Sequence, residues 1–168
     1  MTAGSTYTPI ATQTLGSSAS TVTFSSIPST YTDLVLIITG GDPGSVQPAL
    51  RFNSDSSNHY SYTNLTGSGS VASSNRNSNG GLIQFGWDAY MTNDLNYNAI
   101  ISIMNYSNTT TYKTIIGRAN NSGTGVGAHV GLWFATPQAI STITILQSYG
   151  SSNFNSGSTF TLYGIASA

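Results

Sequence analysis

Short runs of apolar and β-branched residues recur along the chain, separated by clusters of Gly, Ser, Asn and Pro. Residues 8–15, 21–26, 33–39, 49–53, 60–65, 82–87, 98–106, 111–118, 126–134, 140–147 and 159–165 read as strands. Several alternate cleanly. Ile143 and Ile145 share one parity, and Thr142, Thr144 and Leu146 the other; Phe160, Leu162 and Gly164 oppose Thr161 and Tyr163. A period of two marks an antiparallel sheet with one face buried and one semi-polar. Leu34 to Ile38 breaks the alternation with consecutive apolar residues. It reads as a central strand buried on both faces, against the opposing sheet and against loops or a neighbouring subunit. No helical stripe competes. The expectation is an all-β, single-domain antiparallel β-sandwich over residues 1–168, jelly-roll-like, of about ten short strands.

Between these runs, Pro28 reads as a turn before Tyr31. Residues 40–46, with Pro43, read as an exposed loop, and residues 66–81, almost without apolar content, as a flexible loop or one that orders on contact. Residues 119–125 read as a third loop. Phe24, Phe52, Phe85, Trp133, Phe134 and Phe160 are the core candidates.

Composition sharpens the picture. Ser, Thr, Gly and Asn make up about half of the 168 residues, and charged residues only 5%. Disorder is nevertheless rejected, because disordered chains lack the aromatic and β-branched residues that abound here. Four Lys and Arg in the whole chain cannot build the basic patch that nucleic acid or an acidic membrane surface requires. No apolar run is long enough for a membrane helix, and the first residues show no signal-peptide pattern. The absence of Cys excludes disulfides and thiolate chemistry.

Candidate chemistry is sparse. Asp33, Asp42, Asp55, Asp88 and Asp94 are the only carboxylate side chains, and they sit where solvated strand ends are expected. There is no G-x-S-x-G elbow, and His59 and His129 fall in unrelated segments. The string from Asn53 to Asn58 is rich in side-chain oxygen but has one carboxylate, so it reads as an Asx turn rather than a calcium loop. No catalytic, cofactor or metal residue is assigned. Ten Tyr on an amide-rich background leave an interaction surface as the candidate site. Tyr60, Tyr62, Trp87, Tyr90, Tyr97, Tyr106 and His129 are the residues expected on it.

Three segments carry a family resemblance. They are TFSSIPSTYTDLVLIITG (23–40), LRFNSDSSNHYSY (50–62) and GLWFATPQAISTITILQSYGSSNFNSGSTFTLYGI (131–165). Together they resemble small β-sandwich virion proteins of tailed bacteriophages, including cyanophages. The resemblance implies a jelly-roll-like sandwich, no enzyme activity and an oligomeric setting. Its motif residues look architectural, and Arg51 with Asp55 is an expected ion pair across a hairpin.

The expected function is therefore that of a phage structural protein. The first reading is a capsid decoration or cement protein, a homotrimer that binds the major capsid protein or other virion proteins and bridges capsomers. The alternative is a tail-fibre or tail-tip module that binds a host-surface glycan. Either places the chain in the virion, assembled in the bacterial host cytoplasm, with no nucleic-acid or membrane partner and no cofactor.

Overall fold

The computed structural model describes residues 6–85, 88–148 and 152–166. The described residues form strands β1 (Tyr7–Thr14), β2 (Thr21–Phe24), β3 (Asp33–Gly40), β4 (Pro48–Phe52), β5 (Tyr60–Gly67), β6 (Ala72–Gly80), β7 (Ile83–Gln84), β8 (Tyr97–Ile103), β9 (Lys113–Asn121), β10 (Gly125–Trp133), β11 (Ile143–Gln147) and β12 (Thr159–Ile165). Eight strands make one sheet in the order β1-β12-β3-β8-β9-β10-β5-β6, and four make a second in the order β2-β11-β4-β7. Every pairing is antiparallel. The chain switches sheets at most connections and stays in one only at the β5–β6 and β8–β9–β10 hairpins. The result is the expected all-β, jelly-roll-like sandwich.

The core lies between the sheets. Phe24, Phe52, Ile143 and Ile145 come from the smaller sheet; Leu34, Leu36, Ile38, Ile101, Ile115 and Leu162 come from the larger. Burying each of these side chains is worth about 1.5–3 kcal/mol. Two inward positions hold glycine because an aliphatic chain or ring crosses them. A Cβ at Gly131 would lie 2.9 Å from Ile83, and one at Gly117 would lie 3.0 Å from the Phe85 ring. Pro48 sits at the first position of β4, where a missing N–H is tolerated.

Every strand expected from the sequence is present, with ends displaced by a few residues. Among the described residues of the run 82–87, Ile83–Gln84 are strand; residues 86 and 87 lie outside the described residues. The larger corrections concern loops. Residues 66–81 are mostly strand, not a loop: 66–67 complete β5, 68–71 turn, and 72–80 form the nine-residue edge strand β6. An edge strand with an exposed outer face can be built from Ser and Asn, because its backbone ladder to β5 supplies the bonding. Residues 119–125 likewise belong mostly to the β9–β10 hairpin, and a tight turn fills the gap between Asn121 and Gly125. In residues 40–46 only Pro43, Gly44 and Ser45 are exposed. Asp42 is fully buried; it accepts hydrogen bonds from the Gly44 amide at 2.6 Å, from Gln147 and from Ser152. Phe134, expected in the core, is half-buried and edge-on to His59.

Candidate interaction surface

The expected aromatic surface is not where the sequence reading put it. Tyr60, Tyr62, Tyr97, Tyr106 and His129 are all buried in the sandwich. Tyr90 is half-buried, and Trp87 lies outside the described residues. The parity of each strand explains the correction. On β5, Tyr60 and Tyr62 share the inward parity while Ser61 and Thr63 point out. The hydroxyls find partners inside. Tyr60 Oη accepts from the Phe52 amide at 3.0 Å and donates to the Asp55 carbonyl at 2.9 Å. Burial pushes the Tyr60 pKa up to about 12. Tyr62 donates to Gln84 Oε1 at 3.0 Å, and Tyr106 donates to the Pro28 carbonyl. Tyr97 has no hydroxyl partner among the described residues, and burial raises its pKa strongly. These tyrosines supply core volume in a chain short of Leu and Phe.

His129 lies on the inward side of β10, with Nδ1 2.7 Å from Asn64 Oδ1 and the ring edge-on to Phe85. Since Oδ1 can only accept, Nδ1 carries the proton. Burial pushes the pKa down to about 4, so the imidazole is neutral at pH 7.

The expected Arg51–Asp55 ion pair is absent. Arg51 Nε instead donates to the Gly81 carbonyl at 2.9 Å. Asp55 accepts from Trp133 Nε1 at 2.8 Å, from the Ser57 amide at 3.0 Å, and pairs with His59 Nδ1 at 2.9 Å. The oxygen-rich string around it is a turn, with Asn53 and Ser54 at φ of 50° and 59°. Lys113 is also buried; its Nζ donates to the carbonyls of Asn108 and Thr111 at 2.6 and 2.7 Å, and burial lowers its pKa. No group of three or more His, Cys, Asp or Glu among the described residues is placed to hold a metal ion.

The outer face of the larger sheet exposes apolar side chains. On β3, Leu34, Leu36 and Ile38 face the core, so Val35 and Ile37 face outward. On β10 the usual polarity is reversed. Its inward residues are Gly127, His129, Gly131 and Trp133, and its outward ones are Val126, Ala128, Val130 and Leu132. Antiparallel register aligns these outward side chains across the sheet. Ile37 lies opposite Ile100, Ile100 opposite Arg118, Arg118 opposite Ala128, and Ala128 opposite Leu65. In the adjacent row Val35, Ser102, Ile116, Val130 and Thr63 succeed one another in the same way. Ile37, Leu65, Ile100, Ile116, Val126 and Val130 are between 37% and 60% exposed. For a single chain in water that is a large contiguous apolar area, of the kind that marks an interaction site.

The face is hollowed at one end. A groove of about 720 Å³ runs across it, walled by Ile37, Leu65, Ala72, Ile100 and Val126, with Arg118 in its lining. Asn98 and Asn120 line one end of it. The sequence did carry this signal. Paired apolar residues at Ile37–Ile38, Ile100–Ile101 and Ile115–Ile116 put one member on each face.

No protein-family model matches the chain, and no curated protein matches it. Among solved structures, a galectin from Caenorhabditis elegans is similar over 93% of this chain and 96% of its own, at 8% identity and a TM-score of 0.36. A fructofuranosidase from Schwanniomyces occidentalis, complexed with fructose, is similar over 98% of this chain but 35% of its own, at 8% identity and a TM-score of 0.34. The CBM2 module of the evolved Dit protein of Lactobacillus casei BL23 phage J-1 is similar over 88% of this chain and 70% of its own, at 11% identity and a TM-score of 0.18. At these scores no property of those proteins transfers to this one.

Proposed function

We propose that the chain is a virion structural protein of a tailed bacteriophage that decorates the assembled shell and bridges neighbouring capsomers. The observation that carries this reading is the apolar outer face of the eight-stranded sheet, aligned across β3, β8, β9, β10 and β5. An apolar sheet face of that extent gains free energy by being covered. A cement protein that binds only the assembled shell stabilises it by mass action. The phage-like segments named above support the same setting. Low charge supports it too, since copies packed side by side, as in a homotrimer, repel one another little. The carboxylates fit a structural role: Asp33, Asp42, Asp55 and Asp88 each accept hydrogen bonds from neighbouring backbone or side-chain groups.

The second reading, a tail module that binds host glycan, has less behind it. A sugar site stacks CH faces on exposed rings and meets hydroxyls with convergent polar groups. Of the tyrosines that prompted that reading, Tyr60, Tyr62, Tyr97 and Tyr106 are in the core and Tyr90 is half-buried, and the exposed groove is walled largely by aliphatic side chains.

Co-sedimentation separates the two. The purified chain is expected to pellet with undecorated shells and to stay in the supernatant when intact host cells are sedimented. Binding to cells that free sugar competes away, with none to shells, would overturn the proposal.

A further inference from the structure

Arg118 stands out within the apolar face. It is exposed, its register neighbours are Ile100 and Ala128, and it belongs to the groove lining. Among the described residues the only ion pair is His59 with Asp55, so no carboxylate of the described residues pairs with it. Of the other three cations, Arg51 is held by a carbonyl and Lys113 is buried on carbonyls; Arg76, on the edge strand β6, stands opposite Thr63 at the end of the adjacent row of the same face and is outside the groove lining. A guanidinium in the middle of an aliphatic groove becomes costly once a partner excludes water, unless that partner brings an acceptor charge. A partner that does bring one gains a planar, two-pronged hydrogen bond in a dry setting.

We propose that the groove receives a surface segment of the shell protein in which one acidic residue is flanked by apolar side chains, with its carboxylate on Arg118. The apolar flanks lie against Ile37, Ile100 and Leu65, and the ion pair fixes the segment's register. This deepens the shell-decoration reading and rests on it.

The test measures the affinity of the purified chain for undecorated shells, in wild-type form and as Arg118→Gln, Arg118→Lys, Arg118→Glu, Arg76→Gln and Ile100→Ser. All these sites are exposed, so circular dichroism and Tm should be unchanged. The expected result is a loss of about tenfold or more for Arg118→Gln, a larger loss for Arg118→Glu, partial retention for Arg118→Lys, and little change for Arg76→Gln. Wild-type binding should weaken with added salt. If wild type binds and Arg118→Gln binds equally well, the carboxylate partner is refuted. A loss for Ile100→Ser would in that case leave the apolar docking face standing. If wild type does not bind shells at all, the decoration reading falls, and this proposal with it.

Discussion

Asp55 Oδ2 accepts the indole N–H of Trp133 at 2.8 Å, tying the turn after β4 to the last residue of β10. Trp133 itself packs against Phe52, with ring centroids 5.6 Å apart, and stacks on Tyr60. The same carboxylate holds His59 and the Ser57 amide. Burial raises the Asp55 pKa, but the hydrogen bonds from Trp133, His59 and Ser57 outweigh it and leave the pKa below the usual 3.8. Asp55→Ala would strand the indole N–H in the core and is expected to cost about 2–3 kcal/mol in urea unfolding. Because the folded pKa is depressed, this contribution is present above pH about 4 and is lost as acid protonates the carboxylate.

His129 gives a second acid response at higher pH. Its folded pKa of about 4 lies below the ordinary 6.5, so the unfolded chain binds the extra proton between those values. Stability from this group is therefore complete above about pH 6.5 and falls as pH drops toward 4, by up to about 3 kcal/mol. Unfolding free energies measured from pH 7 to pH 4 should show this slope. A variant such as His129→Gln should flatten it, whatever its effect at pH 7.

Tyr97 buries a hydroxyl with no partner among the described residues. Tyr97→Phe removes an unsatisfied polar group while keeping the ring. The expected outcome is a gain of about 1 kcal/mol, read as a higher Tm. A loss of that size would mean the hydroxyl is bonded in solution.

Ile100 and Ile101 are adjacent on β8 but face opposite ways, with 47% and 0% of their surface exposed. Ile101→Ala should cost about 2–4 kcal/mol through lost burial and a cavity. Ile100→Ser should change the unfolding free energy by less than about 0.5 kcal/mol and raise solubility instead. Equal costs at the two positions would show that the outer face is already covered within the isolated protein.

The strands were readable because their signal is local: alternation at Ile143 and Ile145 or at Phe160 and Leu162 does not depend on what lies opposite. Strand β6 was not, because SSNRNSN carries no apolar member and its place is set by backbone pairing with β5. The interaction surface was misplaced for a related reason. Tyr was weighed as a surface residue, whereas inward parity and hydroxyl partners such as Gln84 decide its burial. The reversed polarity of β10 was in plain view as Val126, Ala128, Val130 and Leu132, but its meaning needed to know which face pointed outward. Arg118 acquired its interest only from its register neighbours on β8 and β10.

The most direct measurement of the central claim is immunogold electron microscopy of intact virions with an antibody to this chain. The account expects gold distributed over the head, at a density that follows the shell lattice. Gold confined to the tail, with bare heads, would contradict shell decoration and return host-surface glycans to first place.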